Sequence, residues 1–375
     1  MLKKTVKESP LVFIFRIILG LVFIFSSTVK GIDPLGTAYR VEDYLIAYGM
    51  DWLLDWALLL SIILISVEFL LGFAILFKLK ARLAALGILL IMAFFTVVTW
   101  FDAQYNLVPD CGCFGDAVKL SNWETFSKNV VLILLAFLVF IRRKTMASAL
   151  PQWLQSAVLV FAVSLFTWFN FYNFQHLPLM DFRDWKVGNN MKSNGEGKSK
   201  TYVTYRNIET GEEKEYLSPN YPWNDSLWMA EWKFVNQRLD ESGLDKKHDL
   251  YIEDNEGHDL TKAIIEHEGN QFLLVSYDLD FANGEGMIKA ANLFSTLDDQ
   301  GIAFDMVSAS DESLINKYSE VYQMEYPVYF ADDIDLKAMI RSNPGLLWLR
   351  DGVVIQKWHY NDFPTGEELK DLMKN

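Results

Sequence analysis

Hydrophobic and polar positions divide this chain into two unlike halves. Up to about residue 174, long apolar runs are separated by short polar connections; beyond it the pattern is that of a water-soluble domain. Five runs are long enough to cross the ~30 Å of bilayer hydrocarbon as helices. They cover residues 11–28, 53–77, 83–100, 122–142 and 153–174. The fourth opens on Ser121 as N-cap, with Glu124 three residues on completing a capping box. Lys3, Lys4 and Lys7 precede the first run as in a signal peptide. No small-x-small cleavage site follows and four more spans do, so it reads as an uncleaved anchor.

The second half alternates strands and helices. Residues 189–200, rich in Lys, Ser, Gly and Asn, read as a flexible loop. Residues 201–207 and 214–217 form a hairpin, and Trp223, Trp228 and Trp232 pack a small core. From about His248 the pattern predicts a strand at 272–277, a helix at 286–297, a strand at 302–307, a helix at 311–322, a strand at 327–330 and a short helix at 333–340. A hairpin of 346–349 and 353–359 follows, then a helix from Thr365 with Glu368 closing a capping box. This order implies an α/β domain on a mixed sheet.

Charge adds orientation. Residues 1–174 carry 14 Lys+Arg against 11 Asp+Glu, and residues 175–375 carry 20 against 37. So acidic a second half excludes a nucleic-acid partner, because it cannot neutralise phosphates. Lys3, Lys4 and Lys7, then Lys78, Lys80 and Arg82, then Arg142, Arg143 and Lys144 fall on alternate connections. Positive residues stay inside. The amino terminus is therefore expected in the cytoplasm, with 32–51, 101–128 and everything after 174 on the outer face of a bacterial inner membrane.

The chain has two cysteines, Cys111 and Cys113, separated by Gly112 in the outer connection 101–128. Outside the cytoplasm thiols are oxidised and disulfides persist. A bond between i and i+2 demands a sharp bend, which Gly112 permits, and its strain favours exchange over a structural role. Half of a Cu(I) site and inert thiols are the competing readings. The five His residues show no metal-ligand spacing, and no metal site is assigned. Inside the spans, Glu68 and Arg16 are costly charges and so candidates. Both are expected toward the cytoplasmic side, as an Arg16–Glu68 ion pair that fixes helix packing or as a proton or quinone site. Asp102, Gln104 and Tyr105 end the third span beside the cysteine loop.

Arg16-Ile-Ile-Leu-Gly20, Lys30-Gly-Ile-Asp33-Pro34-Leu-Gly36-Thr37-Ala38 and Cys111-Gly-Cys-Phe-Gly115 together resemble the MauE/DoxX family of redox-associated membrane proteins, over about residues 10–142. The resemblance implies a four-helix membrane bundle, to which this chain adds a fifth span. It also implies that Cys111 and Cys113 exchange. The MauE branch is implicated in maturing a disulfide-rich periplasmic enzyme, and DoxX relatives in passing electrons to quinone. Residues 248–375 resemble a thioredoxin-like domain of the TlpA or peroxiredoxin type, with Pro344 as the cis-proline that marks the fold. Where that family has Cys-x-x-Cys, this chain has Tyr277-Asp-Leu-Asp-Phe281, so thiol chemistry does not carry over. The whole arrangement resembles DoxX-family proteins of Bacteroidetes.

The expected architecture is thus a bundle (1–150), a fifth span and tether (151–176), a small β-rich region (177–247) and a degenerate thioredoxin-like domain (248–375). The expected function is a membrane component of extracytoplasmic thiol–disulfide or electron transfer, acting on a protein client. A non-enzymatic scaffold and a quinone-linked oxidoreductase subunit are the alternatives. No cofactor is evident beyond the quinone the resemblance brings in, and the expected partners are the lipid bilayer and the client.

Overall fold

The computed structural model describes residues 8–108, 112–192, 200–218, 220–222, 225–240 and 248–374. Lys3, Lys4, Lys7, Cys111, Trp223 and most of the expected loop at 189–200 lie outside them. The first half consists of α1 (Pro10–Ile32), α2 (Pro34–Ala47), α3 (Ala57–Leu76), α4 (Ala81–Tyr105), α5 (Asn122–Ile141) and α6 (Gln152–Gln175). All but α2 are long and apolar enough to cross a membrane, α3 together with the turn before it. Ser121 and Glu124 form the expected capping box.

Two glycines set how closely α1 and α3 approach. A Cβ at Gly20 of α1 would lie 2.9 Å from the Cβ of Leu76, and one at Gly72 of α3 would lie 2.7 Å from that of Phe23. Small residues let antiparallel backbones approach where no hydrophobic force drives helices together. Leu19, Phe23, Ile75, Ile88, Met92 and Leu132 fill the space around this seam. The fifth span, α6, packs on α3, with Phe166 stacked on Phe69 at 4.0 Å between centroids.

The helix α2 stands where only a polar connection is expected. Asp33 ends α1, and Pro34 follows as the first residue of α2. A proline disfavours helical backbone in the residue before it. The freed Asp33 then caps α2, its Oδ1 accepting from Gly36 N at 2.9 Å.

The second half begins with β1 (Lys200–Asn207), β2 (Glu213–Leu217), the short α7 (Ser226–Glu231) and β3 (Trp232–Asp240), joined as a sheet in the order β2-β1-β3. The expected hairpin is β1–β2; β3 is additional. Tyr205, Trp228 and Trp232 pack together on it. The larger domain contains α8 (Thr261–Ile265), β4 (Asn270–Ser276), α9 (Gly284–Asp298), β5 (Ala303–Ser308), α10 (Glu312–Tyr322), β6 (Val328–Phe330), α11 (Asp333–Met339), β7 (Gly345–Arg350), β8 (Val353–His359) and α12 (Gly366–Lys374). Its sheet runs β6-β5-β4-β7-β8, with β4, β5 and β6 parallel and β7 and β8 antiparallel to their neighbours. Leu273, Val275, Leu347 and Leu349 face one core, and Phe272, Leu274, Leu346 and Trp348 face the other. Burial of both faces explains why β4 reads as an unbroken apolar run.

One boundary shifts. Trp185 and Met191 belong to the first of these cores, and Asn190 bridges Val353. Residues 177–192 are therefore not part of a small β-rich region; they form a strap that completes the α/β domain. The ammonium of Lys357 on β8 fastens it, with Asp181 Oδ2 at 2.6 Å and the Trp185 carbonyl at 3.1 Å. Burial pushes the Lys357 pKa down to about 8.

Candidate functional site

Cys113 lies in the loop that joins α4 to α5, seated on the end of the bundle opposite the basic turns at 78–82 and 142–144. Gly112 takes the left-handed region at φ 64°, and a Cβ there would lie 2.9 Å from Cγ of Arg40 on α2. Backbone strain and space both demand glycine at this position. Cys111 lies outside the described residues.

The loop covers a buried ion pair. Lys30 Nζ on α1 donates to both carboxylate oxygens of Glu68 on α3, at 2.8 and 3.0 Å. Both side chains are almost fully buried, at 6% and 2% exposure. The Ser26 hydroxyl lies 3.2 Å from Glu68 Oε2 and 2.8 Å from the carbonyl oxygen of Cys113. Lys30, Glu68, Ser26, Cys113, Phe114 and Asn129 line one small cavity of about 30 Å³. That is room for a water molecule.

This arrangement corrects the expected Arg16–Glu68 pair and the expected distance between Glu68 and the cysteines. Arg16 Nε instead donates to Glu8 at 2.8 Å, and its Nη1 to the carbonyls of Ile75 and Leu76 at 2.9 and 2.5 Å. Lys78 reaches the same Glu8 at 2.5 Å. The reason is register: the Gly20–Gly72 seam places Arg16 opposite the end of α3, leaving Glu68 to the residues one and two turns from the cysteine end of α1. Asp102 is also buried, and it accepts from the Tyr44 hydroxyl of α2 at 2.6 Å. Its Oδ1 has no partner among the described residues. Gln104 and Tyr105 are exposed.

A second charged cluster joins the bundle to the α/β domain. Arg341, between α11 and β7, is 7% exposed. Its Nε donates to both oxygens of Asp33, at 3.1 and 2.9 Å, and its Nη2 to Asp116 of the cysteine loop at 3.3 Å. Burial works to raise the Asp33 pKa, but the Arg341 and Arg183 guanidiniums outweigh it and hold the carboxyl below its usual value. Gly36 leaves no room for a side chain, because a Cβ would lie 2.5 Å from Asp33 Oδ2 and 2.9 Å from Arg341 Nη2. Beside this cluster the Tyr39 and Tyr277 hydroxyls share a hydrogen bond at 3.0 Å. Arg341 lies three residues before Pro344, whose bond to Asn343 is cis. At the far edge His176 Nδ1 meets Asp362 at 2.8 Å.

Of the residues named from the sequence, Cys113 and Glu68 share this cavity and Arg16 stands at the other end of α3; Lys30, Ser26, Asp33, Gly36, Tyr39 and Arg341 were not named as candidates. Four of those six stand within or beside the motif segment 30–38, so the signal was present without its meaning. Arg341 carried none, since a lone Arg in a soluble domain is ordinarily a surface residue.

Fold and site define a class: a membrane protein whose helical bundle is capped at its cysteine-loop end by an α/β domain. Within it, residues 8–142 match the family model of the methylamine utilisation protein MauE. No curated protein and no solved structure matches the chain.

Proposed function

We propose that this protein is a membrane-bound component of extracytoplasmic thiol–disulfide exchange, with Cys111 and Cys113 as the exchanging pair and a protein as client. The observation that carries this reading is the shared cavity: the Cys113 loop lies directly over the buried Lys30–Glu68 pair. A loop serving only as a connection has no need of buried charge beneath it, and buried charge in a membrane is costly. The MauE match over the bundle supports a maturation role. The alternating basic connections support an amino terminus in the cytoplasm and an α/β domain on the periplasmic side.

The α/β domain is read as thioredoxin-like. Its order β5-β4-β7-β8, with Pro344 immediately before β7, supports that reading. Tyr277 and Asp278 follow β4 where the thioredoxin-like family carries its cysteines, and Tyr277 is occupied by Tyr39 of the bundle. This favours, as a second reading, a scaffold in which the domain fixes the loop while another surface receives the client.

Thiol trapping of Cys111 and Cys113 in intact cells, with and without quinone depletion, tests the proposal. Cycling between oxidised and reduced forms is expected. A pair held permanently in one state refutes exchange and leaves the scaffold; cycling that stops on quinone depletion moves the reaction to a quinone-linked path. With Cys111→Ser or Cys113→Ser, a mixed disulfide with the client is expected to accumulate.

A further inference from the structure

We propose that the Lys30–Glu68 pair sets the ionisation, and hence the reactivity, of Cys113 from beneath the loop; the inference rests on the exchange reading above. The pair is not needed to hold α1 against α3. The Gly20–Gly72 approach and the Arg16 bonds to the Ile75 and Leu76 carbonyls already fix that seam. An ion pair that adds nothing to register, yet retains its desolvation cost, calls for another role.

The connection to the cysteine is physical. Ser26 ties the Cys113 carbonyl to Glu68, and the cavity lined by Cys113, Lys30 and Glu68 has room for a bridging water. Cationic side chains stand around the cavity. Lys30 faces the cavity from α1, and Lys128 lines it from α5 with its ammonium 4.3 Å from the Phe114 ring centroid. Arg40 lies against Gly112 from α2 and pairs with Asp43 at 3.2 Å. The lining residues from α4, Met92 and Phe95, carry no charge. On the loop itself, Asp116 is held by Arg341, whose guanidinium it shares with Asp33. Glu68 is the one carboxylate that lines the cavity among the described residues.

A cationic environment lowers a thiol pKa and populates the nucleophilic thiolate. In the proposed step, the Cys113 Sγ–H bond breaks and its proton passes through water to the Glu68 carboxylate. The negative charge moves to sulfur, beside the cavity that Lys30 also lines. The thiolate then attacks a client disulfide; one S–S bond forms, one breaks, and the departing client sulfur leaves with the electron pair as a thiolate. Lys30 and Glu68 act through Cys113 and are positioning residues.

The test uses the full-length protein in lipid nanodiscs with Cys111→Ser, so that one thiol reports. Rates of reaction with iodoacetamide and with a small aromatic disulfide are measured from pH 5 to 10. The parent midpoint is expected well below the ~8.5 of a free cysteine. Lys30→Met is expected to raise it by at least about one pH unit, slowing reaction at neutral pH about tenfold, while Lys30→Arg restores it. Glu68→Gln is expected to lower it, because the cation then stands uncompensated. Opposite shifts are a signature that lost packing does not produce. Superimposable profiles in folded variants overturn the inference. If Lys30→Met does not accumulate, the parent decides, since a midpoint at or above ~8.5 overturns it equally. Shifted midpoints with a pair locked in one state in cells refute exchange and leave the tuning standing; a cycling pair with unmoved midpoints does the reverse.

Discussion

Two of the buried cation–carboxylate contacts among the described residues, one in the bundle and one at the junction, solve the problem of burying charge differently. Inside the bundle, Lys30 places one compact ammonium against one carboxylate, Glu68, on a neighbouring helix. At the junction, Arg341 spreads a planar guanidinium over Asp33, Asp116 and the carbonyl of Lys337, which belong to three separate segments. An arginine fork suits a fixed multipoint contact; a lysine point charge suits a partner whose charge can move. The junction therefore behaves as a clamp and the bundle pair as an adjustable element. The clamp also holds the cysteine loop, because Asp116 lies only three residues from Cys113.

Breaking the clamp gives the largest expected effect. Arg341→Met leaves the partly buried Asp33 without its partner, and removing one member of a fully buried pair costs about 3–5 kcal/mol, which sets the upper bound here. The α/β domain is expected to separate from the bundle while both remain folded. Hydrogen exchange should rise along α2 and the loop at 112–118, and proteolysis should cut at the α6–strap junction. Arg341→Lys is expected to recover only part of this, since an ammonium cannot span both carboxylates. Unchanged exchange in Arg341→Met would show that the clamp does not hold the junction.

Much of this was legible in advance for physical reasons that differ by element. The spans were readable because hydrocarbon thickness dictates both their length and their composition. The strands β4 and β7 were readable because burial on both faces leaves them no polar positions. The partners inside the bundle were not, because hydropathy locates a helix without fixing its rotation or its register. The register was present in two glycines: with Gly20 against Leu76 and Gly72 against Phe23 and Ile24, an antiparallel pair sets Arg16 at the end of α3 and Glu68 one turn further along α1, between Ser26 and Lys30. The junction was hidden for another reason. Asp33-Pro34 shows where α1 must end, but nothing local tells that a guanidinium some 300 residues later, by sequence separation, will fill the turn.

A smaller effect is expected from Gly36→Ala, which tests the clamp by crowding it. Its Cβ would press on Asp33 Oδ2 and Arg341 Nη2. Overpacking of this kind costs about 1–3 kcal/mol. The expected outcome is the same pattern of exchange as Arg341→Met, at lower amplitude and with Asp116 still held. Combining the two changes should give less than their sum, because they disturb one contact. Full additivity would place Gly36 outside the clamp.

The α/β domain carries a pH response of its own. Burial lowers the His359 pKa to about 4, against an ordinary value of 6.5. The folded domain thus keeps His359 neutral while the unfolded chain takes up a proton. Stability from this residue is complete above about pH 6.5 and falls as the pH drops toward about 4. Asp33, held below its usual value, loses its contribution only further into acid. Thermal unfolding followed between pH 7 and 4 should show a Tm decline that His359→Asn largely removes. An undiminished decline in that variant would assign it to other groups.

The smallest predicted effect isolates the tyrosine contact between the bundle and the α/β domain. Tyr39 and Tyr277 are both partly buried phenols whose pKa is raised chiefly by desolvation, so their shared hydrogen bond is neutral at any physiological pH. A neutral hydrogen bond contributes about 0.5–1.5 kcal/mol net. Tyr277→Phe should therefore loosen the junction by about 1 kcal/mol, and Tyr39→Phe by a similar amount. The double variant should lose little more than either alone, because the first change has already removed the pair. The loss should also be flat from pH 5 to 9, unlike that of His359. If the effect instead approaches that of Arg341→Met, the two tyrosines are part of the electrostatic clamp and not a neutral contact beside it. In that case the face of the α/β domain that lacks cysteines is itself the main seat of docking, and the scaffold reading of the domain gains over one in which it receives a client there.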